Sequence, residues 1–184
     1  MGAGALAEFV HSELVDPDDR DDQREQNSWT AKLDEVSPVE FLEVLLVNAN
    51  APALLIARLK PLMLASSQAR RFIINVTGTD GLLSLTKSGN HAHVNMGKAA
   101  LNMVTRTCGS DFASEGIFMN SVDTGWITHE GGFTTRQRGD EMNFVPPLDA
   151  VDAAARILDP VVEGSAGEEA RSGCLFRNFT ATEW

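Results

Sequence analysis

The chain has 184 residues, of which 43% are hydrophobic and 22% charged, and its formal net charge is −11. This length and composition suit one soluble domain with a sizeable core. A surface this acidic repels nucleic acid and anionic membranes, which argues against nucleic-acid binding and against membrane insertion. No apolar run is interpreted as long enough to span a membrane.

The cysteines indicate the redox environment. Cys108 and Cys174 form no CxxC pattern and no metal-ligand spacing. One lies in a helical pattern and the other in a strand pattern, so we expect two buried thiols rather than a disulfide. Such thiols indicate a reducing compartment, either the cytoplasm or an organelle interior. No metal site is predicted.

The chain divides into an arm and a domain. Residues 1–28 are predicted to form a loose N-terminal arm, because residues 16–22 are almost all charged and mostly acidic. Residues 29–184 are predicted to form the ordered domain. The N-terminus also lacks the basic residues of a secretory or transit peptide.

The first predicted helix begins at Pro38. Ser37 can cap it, proline fits the first helical position, and Glu40 completes a capping box. Pro52 is expected to kink this helix, and Pro61 lies near its expected end. Apolar positions nearly encircle it, so we expect burial on more than one side.

Apolar β-rich runs then alternate with helical patterns. The run at 71–76 is almost continuously apolar, which is typical of a buried parallel strand. The later elements are predicted as a helix at 91–107 stopped by Gly109, a strand at 117–122, a helix at 150–158 stopped by Pro160, and a last strand at 174–178. This alternation predicts an α/β fold.

One helix and the strand after it resemble a known family. The helix contains Gly97-Lys98-Ala-Ala-Leu-Asn-Met-Val-Thr-Arg106, and a strand pattern follows at 116–122. The pair resembles the active-site helix and next strand of short-chain dehydrogenases/reductases, in a divergent subgroup. The resemblance covers residues 27–184 and implies an incomplete doubly wound, Rossmann-like fold of three layers with a parallel sheet. No Gly-rich loop follows a first strand, so the N-terminal dinucleotide-binding half is expected to be lacking.

The resemblance implies a catalytic set of Asn, Ser, Tyr and Lys. Asn48 and Lys98 match the asparagine and the lysine. The alternative for Asn48 is a polar side chain that forms a hydrogen bond with the backbone near a proline kink. The alternative for Lys98 is a solvated lysine on the helix surface. The serine position falls on Gly78, where Thr77 or Thr79 could offer a hydroxyl nearby or could cap the turn.

The tyrosine position falls on Val94, and the chain contains no tyrosine. His93 is the catalytic candidate to replace it, because histidine has a suitable pKa for acid/base work. It lies some 100° round the helix from position 94. His91 faces the right way but lies further from the nicotinamide pocket. The alternative is that both histidines are exposed at the helix start.

By resemblance alone, the cofactor is NAD or NADP, and the alternative is none. Segment 123–128 stands where the family has Pro-Gly followed by residues that line the nicotinamide, at a strand end where ligands of such sheets bind; the alternative is an ordinary strand-end loop. The candidate cofactor-binding residues are Asn75, Lys98, Thr124, Gly125, Trp126 and Thr128.

Two functions remain open. The first is a short-chain-dehydrogenase-like oxidoreductase homologue, weakly active or inactive as an isolated chain because the tyrosine, the serine and the Gly-rich loop are missing. The second is a noncatalytic scaffold or structural subunit of a larger complex. In either case we expect a homo-oligomer or a larger complex, because strand 71–76 would be left at a sheet edge.

Overall fold

The structure is a computed structural model that describes residues 27–127, 141–142, 145–167 and 169–184. The predicted arm up to residue 26, and Thr128, lie outside the described residues, so the division into arm and domain stays a prediction. The helices are α1 (Pro38–Ala65), α2 (Ala92–Ser114) and α3 (Ala150–Ser165). The strands are β1 (Arg71–Thr77), β2 (Ile117–Asp123), β3 (Leu175–Arg177) and β4 (Thr180–Thr182), and short 3-10 turns occur at Leu33–Glu35 and Thr79–Gly81.

The four strands form one open sheet in the order β1-β2-β3-β4. β1 is parallel to β2, and β2 is parallel to β3. The pairing register sets Thr77 opposite Asp123 and Asp123 opposite Arg177, so these three residues form one row across the sheet. The predicted α/β class with a parallel sheet is confirmed.

The last strand, β4, was not predicted. It pairs antiparallel with β3 through a tight turn at Asn178 and Phe179, whose φ angles are +47° and +64°. Two consecutive residues with positive φ are what the type I′ turn of a two-residue hairpin requires. The turn has no glycine, and Phe179 is an unusual residue at such a φ, which is why the sequence pattern did not reveal it.

Helices α2 and α3 run past their predicted ends. Gly109 lies inside α2, where a Cβ would come within 2.4 Å of the Gly173 Cα. This glycine therefore permits close packing of the helix on the segment before β3, and it does not end the helix. Pro160 likewise lies inside α3, which continues to Ser165.

The helices cover both faces of the sheet. Ile73, Ile117 and Met119 form the core with side chains of α1 and α2. Phe72 contacts α3 instead, since a Cβ on Gly164 would lie 2.6 Å from its ring. Because successive strand residues point to opposite faces, α3 lies across the sheet from α1 and α2, which gives the predicted three layers.

Helix α1 departs from the expectation of burial. Ser37 caps it by accepting a hydrogen bond from the Glu40 backbone N–H at 3.1 Å, and a π-helical turn at Leu46–Asn50 precedes Pro52. Ala49 is its buried residue, and a row of large side chains is exposed. These are Val39, Leu42, Leu46, Val47, Leu54, Leu55, Leu59, Leu62 and Leu64. We call them the α1 outer face.

The helix is also longer than the sequence analysis allowed. Its 28 residues, with a mean hydropathy of 1.6 over the most apolar window, suffice by length and composition to cross a membrane. Core helices of soluble proteins can be equally long and apolar. In the described part of the chain, what sets α1 apart from such a core helix is its exposure.

Strand β1 lies at an edge of the described sheet, with β2 on one side. Its side chains are half-buried over most of its length, and Val76 is exposed. The prediction that this apolar strand would stand at an edge therefore holds for the described residues.

Candidate functional site

A cleft of about 810 Å³ opens at the carboxyl ends of β1, β2 and β3. Ligands of open α/β sheets bind at this edge, and the volume lies in the range of small-molecule sites. The lining residues come from three strand ends and the loops that follow them, the first turns of α2, and the segments that precede α1 and α3. They include Trp29, Thr77, Gly78, Thr79, Asp80, Asn90, Lys98, Asp123, Thr124, Gly125, Trp126, Leu148, Arg177 and Asn178.

Lys98 reaches the cleft because α2 begins beside the β1 strand end. A Cβ on Gly81 would lie 3.0 Å from the Lys98 backbone carbon, and the Asn102 amide donates to the Gly81 carbonyl at 3.2 Å. These contacts hold the turn Thr79–Gly81 against the helix. Lys98 therefore shares the cleft with Thr77, which ends β1.

The floor of the cleft is the cross-strand row of Thr77, Asp123 and Arg177. Thr77 and Asp123 are 2% and 3% exposed. Asp123 Oδ1 accepts from the Gly125 N–H at 2.9 Å, and Asp123 Oδ2 lies 3.5 Å from Arg177 Nε. Within the described residues, Thr77 Oγ1 and Asp123 Oδ2 have no hydrogen-bond partner.

The loop after β2 forms one wall. Gly125 has φ +78°, and a Cβ there would lie 2.6 Å from Leu148 Cδ1. A side chain at this position is therefore excluded both by the backbone conformation and by space. The peptide of Gly125 approaches the cleft between Thr124 and the half-exposed Trp126.

Three residues considered in the sequence analysis flank the cleft without lining it. Asn48 donates to the Val44 carbonyl at 3.0 Å, as expected for a side chain that bonds backbone near the helix irregularity. Asn75 is buried and donates to Thr105 Oγ1 at 2.8 Å. Val94, at the tyrosine position, is buried in α2.

The alternative that both histidines are exposed is wrong. His93 is completely buried, stacks on Phe41, and has both ring nitrogens unpaired by hydrogen bonds within the described residues. Its Nε2 lies 3.7 Å from a Glu40 carboxylate oxygen. The structure thus places His93 between α1 and α2, away from the cleft.

His91 is half-buried at the start of α2, with φ +45°. Its Nδ1 lies 3.1 Å from the Trp29 carbonyl oxygen, and its Nε2 lies 3.7 Å from Asp80 Oδ1. His91 therefore joins the segment before α1 to the rim of the cleft.

The sequence analysis assigned no role to several lining residues, above all Asp123 and Arg177. Asp123 is the last residue of β2, a position at which side chains gather near ligands. Arg177 gave no such signal, because its place beside Asp123 depends on the pairing register of β2 and β3.

The family model described as "Enoyl-(Acyl carrier protein) reductase" matches residues 25–145, which is more than half of the chain. The chain belongs to the short-chain dehydrogenase/reductase family. The match includes α1, β1, α2 and β2, the elements that carry Lys98, Thr77 and Asp123 to the cleft.

A relative in sequence is "Uncharacterized protein R665" of Acanthamoeba polyphaga mimivirus, which is 30% identical over 147 residues. The match covers 76% of this chain and 31% of that protein. The chain thus spans about a third of the length of this relative, whose printed name gives no activity.

Solved structures of the family share the fold. The carbonyl reductase Sniffer of D. melanogaster has a TM-score of 0.64 at 23% identity, with 84% of this chain and 61% of that chain covered. The NADPH-bound carbonyl reductase from chicken fatty liver has a TM-score of 0.61 at 21% identity, with 88% and 64% covered. The chain therefore spans less than two thirds of the length of these neighbours.

Proposed function

We propose that this chain contributes the carboxyl-terminal half of an NAD(P)-binding oxidoreductase site, and that the 184 residues alone have weak activity or none. One observation carries the proposal. The cleft brings together Lys98, Thr77 and the loop Thr124–Gly125–Trp126, which come from three separate elements. Family members such as a Burkholderia multivorans protein and the chicken carbonyl reductase have NADP or NADPH bound.

The residues of the cleft fit one half of such a cofactor. Thr77 Oγ1 is buried with no hydrogen-bond partner among the described residues, so a ligand hydroxyl or amide could supply one. The Lys98 ammonium carries three donors suited to ribose hydroxyls. The fixed Gly125 peptide gives a flat ligand close access to backbone. These groups suit a nicotinamide riboside, with a nicotinamide ring that would supply the hydride.

The residues of the cleft do not meet two other needs of the reaction, an anchor for the cofactor's pyrophosphate and a donor for the proton. The usual anchor for a pyrophosphate is a Gly-rich loop at a helix N-terminus, which the 184-residue sequence does not contain. Val94 has no proton to give, and His93 lies outside the cleft. Both features support weak activity. A nucleotide-binding segment from another polypeptide would supply the missing pyrophosphate anchor.

Carbonyl reduction by the 184-residue chain tests this role. We expect any activity above the protein-free rate to disappear in Lys98→Ala, since the lysine is the charged group of the cleft that matches the family's catalytic set. His93→Ala should retain it, provided that the variant folds. Activity that survives Lys98→Ala would contradict the assignment of the lysine.

The alternative is a noncatalytic scaffold or subunit, and the α1 outer face favours it. Nine large aliphatic side chains of one helix are exposed, and a soluble monomer rarely leaves so much contiguous apolar surface uncovered. We propose that this face and the β1 edge assemble with a second copy or a larger complex in a reducing compartment. Sedimentation of the chain at micromolar concentration tests this, and a compact monomer that binds no hydrophobic dye would contradict it.

A further inference from the structure

Arg177 is the least explained charged residue of the cleft. It ends β3 directly opposite Asp123, and its side chain is 44% exposed while that of Asp123 is 3% exposed. The Arg177 Nε faces Asp123 Oδ2 at 3.5 Å. The guanidinium thus meets the buried carboxylate through Nε.

In the part of the chain that the structure describes, Arg177 has an ion pair with Asp123 through Nε, and no partner is recorded for the remaining donors. A guanidinium held on one side by a carboxylate loses little further side-chain freedom when it binds a ligand. Its terminal N–H groups form a planar fork that matches carboxylate and phosphate oxygens.

The other charges of the cleft leave room for an anion. Asp123 is compensated by Arg177, and Asp80 has His91 Nε2 at 3.7 Å. Lys98 lines the same cleft and has no recorded ion pair within the described residues. Among the described lining residues the two cations thus equal the two carboxylates in number, so the cleft is neutral despite the acidity of the chain, and Lys98 has no carboxylate partner of its own.

We propose that Arg177, oriented by Asp123, is the oxyanion-recognising residue of the cleft, so that the molecule bound there carries a carboxylate or phosphate group near the β3 end. The proposal rests on the proposed function in taking this cleft as the ligand site. The oxyanion belongs either to an acidic carbonyl substrate or to the nucleotide. In both cases Arg177 is a specificity-determining residue and Asp123 is a positioning residue.

Binding of matched probes to the 184-residue chain tests the proposal. We would titrate 2-oxobutanoate and its neutral analogue 2-oxobutanamide by calorimetry or NMR. Nicotinamide mononucleotide and nicotinamide riboside, which differ by the 5′-phosphate next to the nicotinamide ribose, form a second pair. At least one acid or phosphate form should bind about tenfold more tightly than its partner, as expected for charge-assisted hydrogen bonds to an arginine. The pair that shows the preference identifies the source of the oxyanion.

Variants assign the preference to the arginine. Arg177→Gln should abolish it, whereas Arg106→Gln removes the same charge from the exposed face of α2 and should leave it intact. If Arg177→Gln unfolds because Asp123 is left unpaired, the double variant Asp123→Asn/Arg177→Gln removes both charges and serves in its place. Asp123→Asn alone keeps the guanidinium but should lower the preference several-fold.

The outcomes separate this proposal from the proposed function. Equal binding of both members in both pairs, or a preference that persists in the arginine variants, would overturn it. A preference for the keto acid without any NAD(P) binding would leave this proposal standing while the oxidoreductase role fails. Alternatively, nucleotide binding could require Lys98 but be unchanged by Arg177→Gln and by the extra phosphate, with no preference for the keto acid. This proposal would then fail while the proposed function stands.

Discussion

The cleft at the carboxyl ends of the strands contains buried polar groups, whereas the α1 outer face exposes apolar side chains to solvent. In the cleft, the buried Asp123 carboxylate has an ion pair with Arg177 of the neighbouring strand and accepts a hydrogen bond from the Gly125 N–H. On α1, leucines and valines face outward with nothing in the described chain to cover them. The groups that would meet a ligand in the cleft come from the described fold itself, whereas an apolar face of this kind needs a second surface. The comparison separates the chemical role of the chain from its assembly.

The largest expected effect concerns assembly through the α1 outer face. Leu55 and Leu62 lie two turns apart on α1 and are more than half exposed. If they are buried between subunits, Leu55→Gln/Leu62→Gln should weaken association by about 3–6 kcal/mol, or at least 100-fold. Sedimentation should show a shift toward monomer with an unchanged circular dichroism spectrum.

The cleft should be insensitive to this change. Binding of the keto-acid or nucleotide probes should be the same in the double leucine variant as in the parent chain. An unchanged sedimentation coefficient in the variant would mean that this face takes no part in assembly. The claim that the α1 outer face is covered by a second surface would then be contradicted.

The second effect concerns the polar layer beneath the cleft. Thr105 Oγ1 accepts from Asn75 Nδ2 at 2.8 Å and from Ser121 Oγ at 2.9 Å, and the three side chains are buried. Thr105→Val keeps the shape but leaves two buried donors without an acceptor. We expect the free energy of unfolding to fall by about 2–4 kcal/mol, as measured by urea denaturation.

The exposed Thr182 of β4 offers a matched control, since Thr182→Val makes the same chemical change at the surface. It should alter stability by less than about 0.5 kcal/mol. Equal effects of the two substitutions would mean that the buried hydrogen bonds add nothing to stability.

The smallest effect concerns Asp159 in α3. Burial, and then the Glu163 carboxylate, raise the pKa of Asp159 above its ordinary value of 3.8, against a lowering effect of Arg171. Because the folded-state pKa is raised, ionised Asp159 opposes folding. The stabilising contribution of this group is present below the unfolded-state pKa and is lost as pH rises through the folded-state pKa.

Asp159→Asn should therefore raise the thermal midpoint slightly at neutral pH, and the gain should vanish at about pH 3 and below. Thermal scans at the two pH values measure the difference. A gain of equal size at both would show that the effect does not come from ionisation of the carboxyl group.

The sequence predicted those parts of the molecule whose signals are local. The apolar run of β1 and the periodicity of α2 located their elements, and the family resemblance of the segments at two strand ends predicted a site near Thr77 and Gly125. Helix ends were misplaced at Gly109 and Pro160, because packing against neighbouring segments overrides the usual effect of glycine and proline.

The missed features depend on contacts between distant residues. Arg177 meets Asp123 only through the register of two strands, and the burial of His93 depends on how α1 packs on α2. The exposure of α1 was missed for the related reason that apolar composition indicates a need for burial, but it does not tell whether the same chain or a partner provides it.

The central claim is that the cleft at the strand ends binds a nicotinamide nucleotide through Lys98. Titration of the 184-residue chain with NADPH, followed by NMR, tests it most directly. We predict a dissociation constant of about a millimolar, since the pyrophosphate lacks its usual anchor. The backbone signals of Thr77, Lys98 and Gly125 should shift, and Lys98→Ala should weaken binding about tenfold while Arg106→Ala does not. Shifts confined to residues outside the cleft, or the same affinity in Lys98→Ala, would contradict the claim.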